Sequence, residues 1–296
     1  MNEPYYIYVN GFWGGFVDKT DANHIDFFEN LFKKTKLANY EITNHLNKAN
    51  VLFESLFSHS MTNVKKWKYK IHYSGEPRRL DSSNYDIVLY SEIAEGSNIV
   101  DVPLFAYYIH GNHFLDKLIH RPIVKSVPPN FCCFIVSNSG CWVRNQMFYR
   151  LNQYKKVDSY GGFENNMGGS RLKFDYWTEE FRQFLSTYKF IICFENTKIG
   201  TYSTEKIVNP YLSGTIPIYW SSHHIKNIFN SDSMLFLEDE SDASYQILIN
   251  KIKELDNDDE KYLELINRPV FTDMNLQYWN ENYTVEKMAE KIDMLL

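Results

Sequence analysis

The chain has 296 residues, enough for one large domain or two ordinary ones, and 44% are hydrophobic, which supports a sizeable core and argues against disorder. A formal charge of −6 provides no basic surface for nucleic acid, so an anionic ligand would need a local cationic pocket. The four cysteines, Cys132, Cys133, Cys141 and Cys193, have no paired C-x-x-C spacing, which excludes a zinc ribbon or disulfide framework and predicts buried free thiols in a reducing compartment.

In chain order, residues 5–9 predict a strand. The loop N-G-F-W-G-G-F follows, then an amphipathic helix over 22–34. Residues 51–57, 69–73 and 87–90 read as further short strands between polar connectors. The run V-P-P-N at 127–130 breaks the pattern, because consecutive prolines suit neither a helix nor a central strand. It then restarts as a strand over 131–136, a helix over 144–153, a short strand at 156–157 and a helix over 177–187. A strand over 190–195, a helix over 204–213 closed by Gly214, and a strand over 215–220 come next.

Residues 244–256 and 283–296 predict amphipathic helices, with Val285, Met288, Ala289, Ile292 and Leu295 on one face of the second. Such alternation is the signature of βαβ units around parallel sheets. The reading is an α/β protein of two Rossmann-like domains facing across a cleft. Residues 1–129 form the first domain and 130–280 the second, while 281–296 make a C-terminal helix that packs back across the junction. No apolar run approaches the roughly 18 residues of a membrane span. The start, MNEPYYIYVNGFW, lacks the regions of a signal peptide. The expectation is a soluble cytoplasmic protein, with peripheral membrane association left open and the sequon at Asn282 without consequence.

The polar block inside residues 190–220 carries the chemistry. In open α/β sheets ligands gather beyond the carboxyl ends of the strands, so Glu195 and Asn196, at the end of an apolar strand, are expected to project into that crevice. Thr204 is placed to cap the next helix, with Glu205 and Lys206 in its first turn. A lysine beside a positive helix end makes an anion site that fits a diphosphate. Glu205 would repel phosphate, and a ribose diol is its better partner. The alternative is that Glu205 and Lys206 only solvate a helix start. Pro210, inside this helix, predicts a kink that the pattern does not explain.

The run Y-K-F-x-x-C-F-E-N, a loop, then Y-x-T-E-K-I-x-x-x-Y-x-x-x-x-I-P-I-Y-W, from Tyr188 to Trp220, resembles the α1,3/4-fucosyltransferases, especially the bacterial type. Four further segments are similar to stretches of that family: YSGEP from Tyr73, FIVSN with VRNQMFYRLN from Phe134, VDSYGG with NNMGG from Val157, and the N-terminal W-G turn. Residues 17–68 and 221–296 carry no such likeness.

The resemblance implies a GT-B fold, an N-terminal acceptor domain and a C-terminal domain binding GDP-β-L-fucose, with inverting transfer and no obligatory metal or other cofactor. It implies that Arg144 and Lys206 hold the diphosphate, Glu205 the ribose, and Asn196 and Tyr202 the phosphate region. Ser137 and Asn138 form a turn near the nucleotide. Glu76 is implied as the general base, and Glu195 as a carboxylate near the fucose. Pro77, where the bacterial family carries Asn or Ser, and the adjacent Arg78 and Arg79 weaken the case for Glu76, since a neighbouring arginine lowers a carboxylate's basicity.

Inversion is a single displacement, needing a base on the acceptor side and charge neutralisation on the leaving-group side. The expected partners are GDP-fucose and an oligosaccharide or glycoconjugate acceptor, with O3 of an N-acetyllactosamine-type GlcNAc as the hydroxyl. Two other readings stay open: a GT-B transferase for another nucleotide sugar, and a non-catalytic glycan-binding protein. The oligomeric state is not readable.

Overall fold

The computed structural model describes residues 3–21, 23–78, 81–169 and 172–296, which form two compact units. Unit 1 comprises Met1–His113, Ile199–Tyr202 and Gln277–Leu296; unit 2 comprises Phe114–Lys198 and Ser203–Leu276. Among the described residues no helix is long and apolar enough to cross a membrane.

Unit 1 opens with β1 (Tyr5–Asn10), α1 (Asp26–Lys33), β2 (Tyr40–Ile42), β3 (Val51–Glu54), β4 (Tyr69–Tyr73), β5 (Ile87–Tyr90), β6 (Ile99–Asp101) and α2 (Leu104–Gly111). Its sheet has the order β2-β1-β3-β4-β5-β6, and each strand pair is parallel. The runs VLFE and IVLY are buried throughout, as expected for parallel strands covered on both faces. Helix α1 presents Phe27, Phe28, Leu31 and Phe32 to Phe53 and Tyr73, and each such side chain contributes about 1.5–3 kcal/mol by burial.

Unit 2 contains α3 (Leu115–Ile119), β7 (Asn130–Phe134), α4 (Trp142–Tyr154), β8 (Asp158–Ser159), α5 (Glu179–Leu185), β9 (Tyr188–Ile192) and α6 (Glu205–Ser213). It continues with β10 (Ile216–Tyr219), α7 (Ile225–Ile228), β11 (Leu235–Phe236), α8 (Asp242–Asp256) and α9 (Asp259–Ile266). The sheet order is β11-β10-β9-β7-β8, again parallel. Its four cysteines are free and buried. The chain then runs through α10 (Asp273–Asn282) into α11 (Val285–Asp293), which buries Met288, Ala289 and Ile292 in the core of unit 1.

The units divide earlier than the prolines at 128–129 indicate. Residues 114–129 belong to unit 2, because Arg121 Nη2 donates to the carbonyls of Ile266 and Arg268, and Val124 and Asn267 exchange hydrogen bonds of 2.8 and 3.0 Å. The strands expected over 51–57, 131–136 and 190–195 end sooner, at Glu54, Phe134 and Ile192. The helix expected over 22–34 starts at Asp26, and Ala22 lies outside the described residues. Strands β2, β6 and β11 were not anticipated, being too short to show a period of two.

A buried histidine of the unit 1 core contributes to its pH response. His72 on β4 lies between Glu54 and Val88 in the ladder, and neither ring nitrogen has a hydrogen-bond partner. Burial pulls its pKa down to about 4, against the opposing charge of Glu54. The unfolded chain, titrating near 6.5, therefore takes up this proton first as pH falls, and stability is lost between about pH 6.5 and about pH 4. Between pH 7 and pH 5 the parent should lose about 2 kcal/mol more than His72→Phe, measured by urea midpoints. Parallel pH dependences in the two proteins would remove His72 from the account.

Candidate functional site

The site in unit 2 grows from the end of β9. Past Ile192 the backbone still follows β10, with Cys193 N donating to Ile218 O and Glu195 N to Trp220 O, both at 3.0 Å. This alignment delivers Glu195 to the start of α6. The carboxylate is wholly buried, contrary to the expectation that it projects into a crevice. Oε1 accepts from Thr204 N at 2.7 Å and Tyr219 OH at 2.8 Å, and the Thr204 hydroxyl lies 3.0 Å from both oxygens. Lys206 Nζ completes the set at 3.4 Å from Oε2.

A buried carboxylate is tolerated only when it is paired and hydrogen-bonded. Here burial pushes its pKa upward, and the Lys206 charge is the largest opposing influence. Glu195 thus braces the strand end to the helix start.

Thr204 caps α6 through its hydroxyl, which accepts from Lys206 N, and Gly214 closes the helix in the left-handed conformation at φ +67°. Glu205 is the first helical residue, and its Oε1 lies 3.6 Å from Lys206 Nζ. Lys206 Nζ also donates to Thr204 Oγ1 at 3.0 Å.

Arg144, on the first turn of α4, is 1% exposed. Its Nη1 donates to Asn196 Oδ1 at 2.8 Å and Phe194 O at 3.3 Å, and its Nη2 to Asn138 O at 2.9 Å. These three bonds fix the guanidinium between the turn after β7 and the end of β9.

Ser137 and Asn138 form the exposed turn beyond β7, where Asn138 Oδ1 accepts from Gly140 N at 2.8 Å and Ser137 Oγ accepts from Gly162 N at 3.1 Å. Gly161 is a steric necessity, because a Cβ there would stand 1.8 Å from the Val136 carbonyl oxygen. A cavity of about 300 Å3 opens beside this turn, and its walls include Ser137, Tyr160, Phe174, Tyr176, Glu205 and Lys206. Pro210 also faces it. Proline has no N–H to give to the carbonyl of Lys206 four residues back, so a wall residue of this cavity sits where the helix ladder is interrupted.

Arg144, Asn138 and Asn196 are thus joined by hydrogen bonds, and Glu195, Glu205 and Lys206 by a second set of polar contacts, the two meeting where Glu195 precedes Asn196 in the chain. Tyr202 is buried and belongs to unit 1, within the segment Ile199–Tyr202. That segment is tied down in unit 1, where Thr201 N donates to Ser91 O at 3.1 Å and the Thr201 hydroxyl to Asp101. Asp101 also accepts from Tyr283 OH at 2.7 Å, and burial lifts its pKa to about 6. Sequence reasoning passed over Asp101, which ends a three-residue strand with no motif around it.

Glu76 stands exposed in the turn after β4 of unit 1. Its N–H donates to Ser74 Oγ at 3.2 Å and its carbonyl accepts from Arg78 N at 2.8 Å, fixing the turn and leaving the carboxylate outside. Arg79 lies outside the described residues.

The family model for the C-terminal region of glycosyltransferase family 10 (fucosyltransferase) matches residues 128–295. Alpha-(1,3)-fucosyltransferase FucT of Helicobacter pylori is 33% identical over 159 residues, covering 53% of this chain and 31% of that protein. A putative fucosyltransferase of Acanthamoeba polyphaga mimivirus is 27% identical over 232 residues, covering 76% of this chain and 36% of that protein. GDP-fucose protein O-fucosyltransferase 3 of Bos taurus is 28% identical over 187 residues, covering 60% of this chain and 38% of that protein. The chain thus spans about a third of the length of these curated relatives.

Among solved structures, an alpha1,3-fucosyltransferase with GDP-fucose superimposes with a TM-score of 0.73 at 23% identity, over 99% of this chain and 90% of that one. The α/β fold of two parallel sheets is that of these GT-B structures. The chain belongs to glycosyltransferase family 10, the fucosyltransferases.

Proposed function

We propose that this protein transfers L-fucose from GDP-β-L-fucose to a hydroxyl of a glycan acceptor by a single displacement that inverts the anomeric carbon. The observation that carries the reading is a guanidinium, Arg144, hydrogen-bonded to Asn196 beside the end of β9, where the preceding residue, Glu195, is bonded to Lys206 and to the start of α6. Such a pair of cations, with the N–H groups of a helix start, fits a diphosphate whose negative charge grows as the glycosyl bond breaks. Arg144 would meet it with a planar fork and Lys206 with a point charge. Glu205, at the cavity wall, would accept from the ribose hydroxyls, and the cavity would take the base.

Glu76 would accept the proton from the acceptor hydroxyl. The acceptor oxygen then bonds to C1 of fucose as the bond from C1 to the β-phosphate oxygen breaks and GDP leaves. Glu195 has both oxygens occupied and would position α6 without touching the sugar.

The test is a thermal shift with GDP and with UDP, followed by transfer assays in EDTA. GDP should raise the melting temperature more than UDP, since binding to the native state stabilises it. Transfer of fucose to a glycan should survive chelation, because Arg144 and Lys206 supply the charge that a divalent ion would otherwise supply. Preference for UDP would favour another nucleotide sugar. GDP binding without any transfer would favour a glycan-binding role.

A further inference from the structure

The stretch that joins Asn196 to Thr204 is held at its middle by a carboxylate from outside the polar block. The chain leaves unit 2 after Lys198, runs through Ile199–Tyr202 in unit 1 and resumes in unit 2 at Ser203. Its flanks are pinned within unit 2. Asn196 Oδ1 accepts from Arg144 Nη1 at 2.8 Å, and Thr204 N donates to Glu195 Oε1 at 2.7 Å.

The middle is seated within unit 1, beyond the carboxyl ends of β5 and β6. Thr201 N donates to Ser91 O at 3.1 Å, just past β5, and the Thr201 hydroxyl donates to Asp101, the last residue of β6. Tyr202 N donates to Ile199 O at 3.0 Å and closes the turn. Gly200 allows the close seat, because its φ is +45° and an added Cβ would run into the Ser91 carbonyl oxygen.

Asp101 is 6% exposed, and a buried carboxylate is costly unless donors reach it. Its other donor is the Tyr283 hydroxyl at 2.7 Å, just before α11. The end of β6, the loop and the approach to α11 thus meet at one side chain. The bond from Tyr283 serves the packing of α11 on the unit 1 core. The bond from Thr201 serves the loop alone.

Resting on the reading of fucosyl transfer above, we propose that Asp101 is a positioning residue for the nucleoside diphosphate, acting through Thr201 to fix the loop between Asn196 and Thr204. A loop left loose must be ordered when the ligand binds, and that lost entropy is subtracted from the affinity. Hydrogen bonds to an ionised acceptor are the stronger kind, so a single hydroxyl on Asp101 suffices to hold the turn. Asp101 itself need not touch the donor.

The test measures GDP binding by calorimetry, and the melting temperature without ligand, for the parent and each variant. Thr201→Val keeps the shape of the side chain but removes the hydroxyl, and it should weaken GDP binding by about tenfold. Thr201→Ser keeps the hydroxyl and should bind within about twofold of the parent. Gly200→Ala unseats the same turn from Ser91 by another route and should weaken GDP by a comparable factor. Tyr283→Phe removes the other donor to the same carboxylate. It should lower the melting temperature to a similar degree as Thr201→Val, yet leave GDP affinity within about threefold, a split that general loss of stability would not produce. Equal GDP affinity in Thr201→Val and the parent, or equal weakening in Thr201→Val and Tyr283→Phe, overturns the positioning role while the reading of fucosyl transfer stands. A parent that binds no GDP overturns both.

Discussion

Glu76→Gln should lower kcat by about 10²–10⁴ while GDP affinity stays within about twofold. The amide keeps the shape and hydrogen-bonding capacity of the side chain but cannot accept a proton, so the loss falls on the transition state alone. The structure makes this a clean substitution. Glu76 is exposed, and the hydrogen bonds that hold its turn run through backbone atoms and the Ser74 hydroxyl, none of which the change removes. The melting temperature should therefore stay near that of the parent, and a lower rate would not reflect lost fold. The acidic limb of the pH–rate profile should disappear with the carboxylate. Near-parental kcat would dismiss Glu76 as the base. Loss of GDP binding along with turnover would mean that the substitution acts on the donor and not on the proton.

What could be read from the chain beforehand divides along physical lines. Parallel strands buried on both faces announce themselves as apolar runs, so VLFE and IVLY are legible without any knowledge of neighbours. The helix start at Thr204 was legible because a cap is a local event between residues two and three apart.

Phe57 shows the opposite case. It continues an apolar run and reads as the end of a strand, yet β3 stops at Glu54. The partners beyond it are distant in sequence: Phe57 N donates to Gly11 O, and the Glu54 carboxylate accepts from Ser60, Met61 N, Asn10 and Tyr85. Glu195 shows the same limit. Its place after a strand was evident, but its direction depended on Tyr219, which is contributed by the next strand of the sheet. Tyr202, six residues beyond Asn196 and past the loop of the same motif, falls in unit 1, where the neighbouring Thr201 has partners on Ser91 and Asp101.

Lys206→Ala should weaken GDP binding by about tenfold or more, the scale of one charge-assisted contact removed from a partly dry site. It should also destabilise the free protein, which a purely electrostatic role toward the ligand would not do. Lys206 Nζ stands 3.4 Å from Glu195 Oε2, and it is the largest influence holding down the pKa of a carboxyl that burial raises. Without the lysine, burial acts with less opposition and the folded-state pKa rises further.

The sign of the pH effect follows. A carboxyl whose pKa is higher in the folded than in the unfolded state costs stability when pH rises through the window between the two values. Removing Lys206 widens that window upward. The melting-temperature deficit of Lys206→Ala should thus be largest at neutral pH and should shrink on acidification as Glu195 takes up its proton. Lys206→Arg restores a cation and should recover most of the stability, whereas its longer planar head need not recover GDP affinity. Equal GDP affinity in Lys206→Ala and parent would take Lys206 out of the donor site. A stability deficit independent of pH would break the link to Glu195.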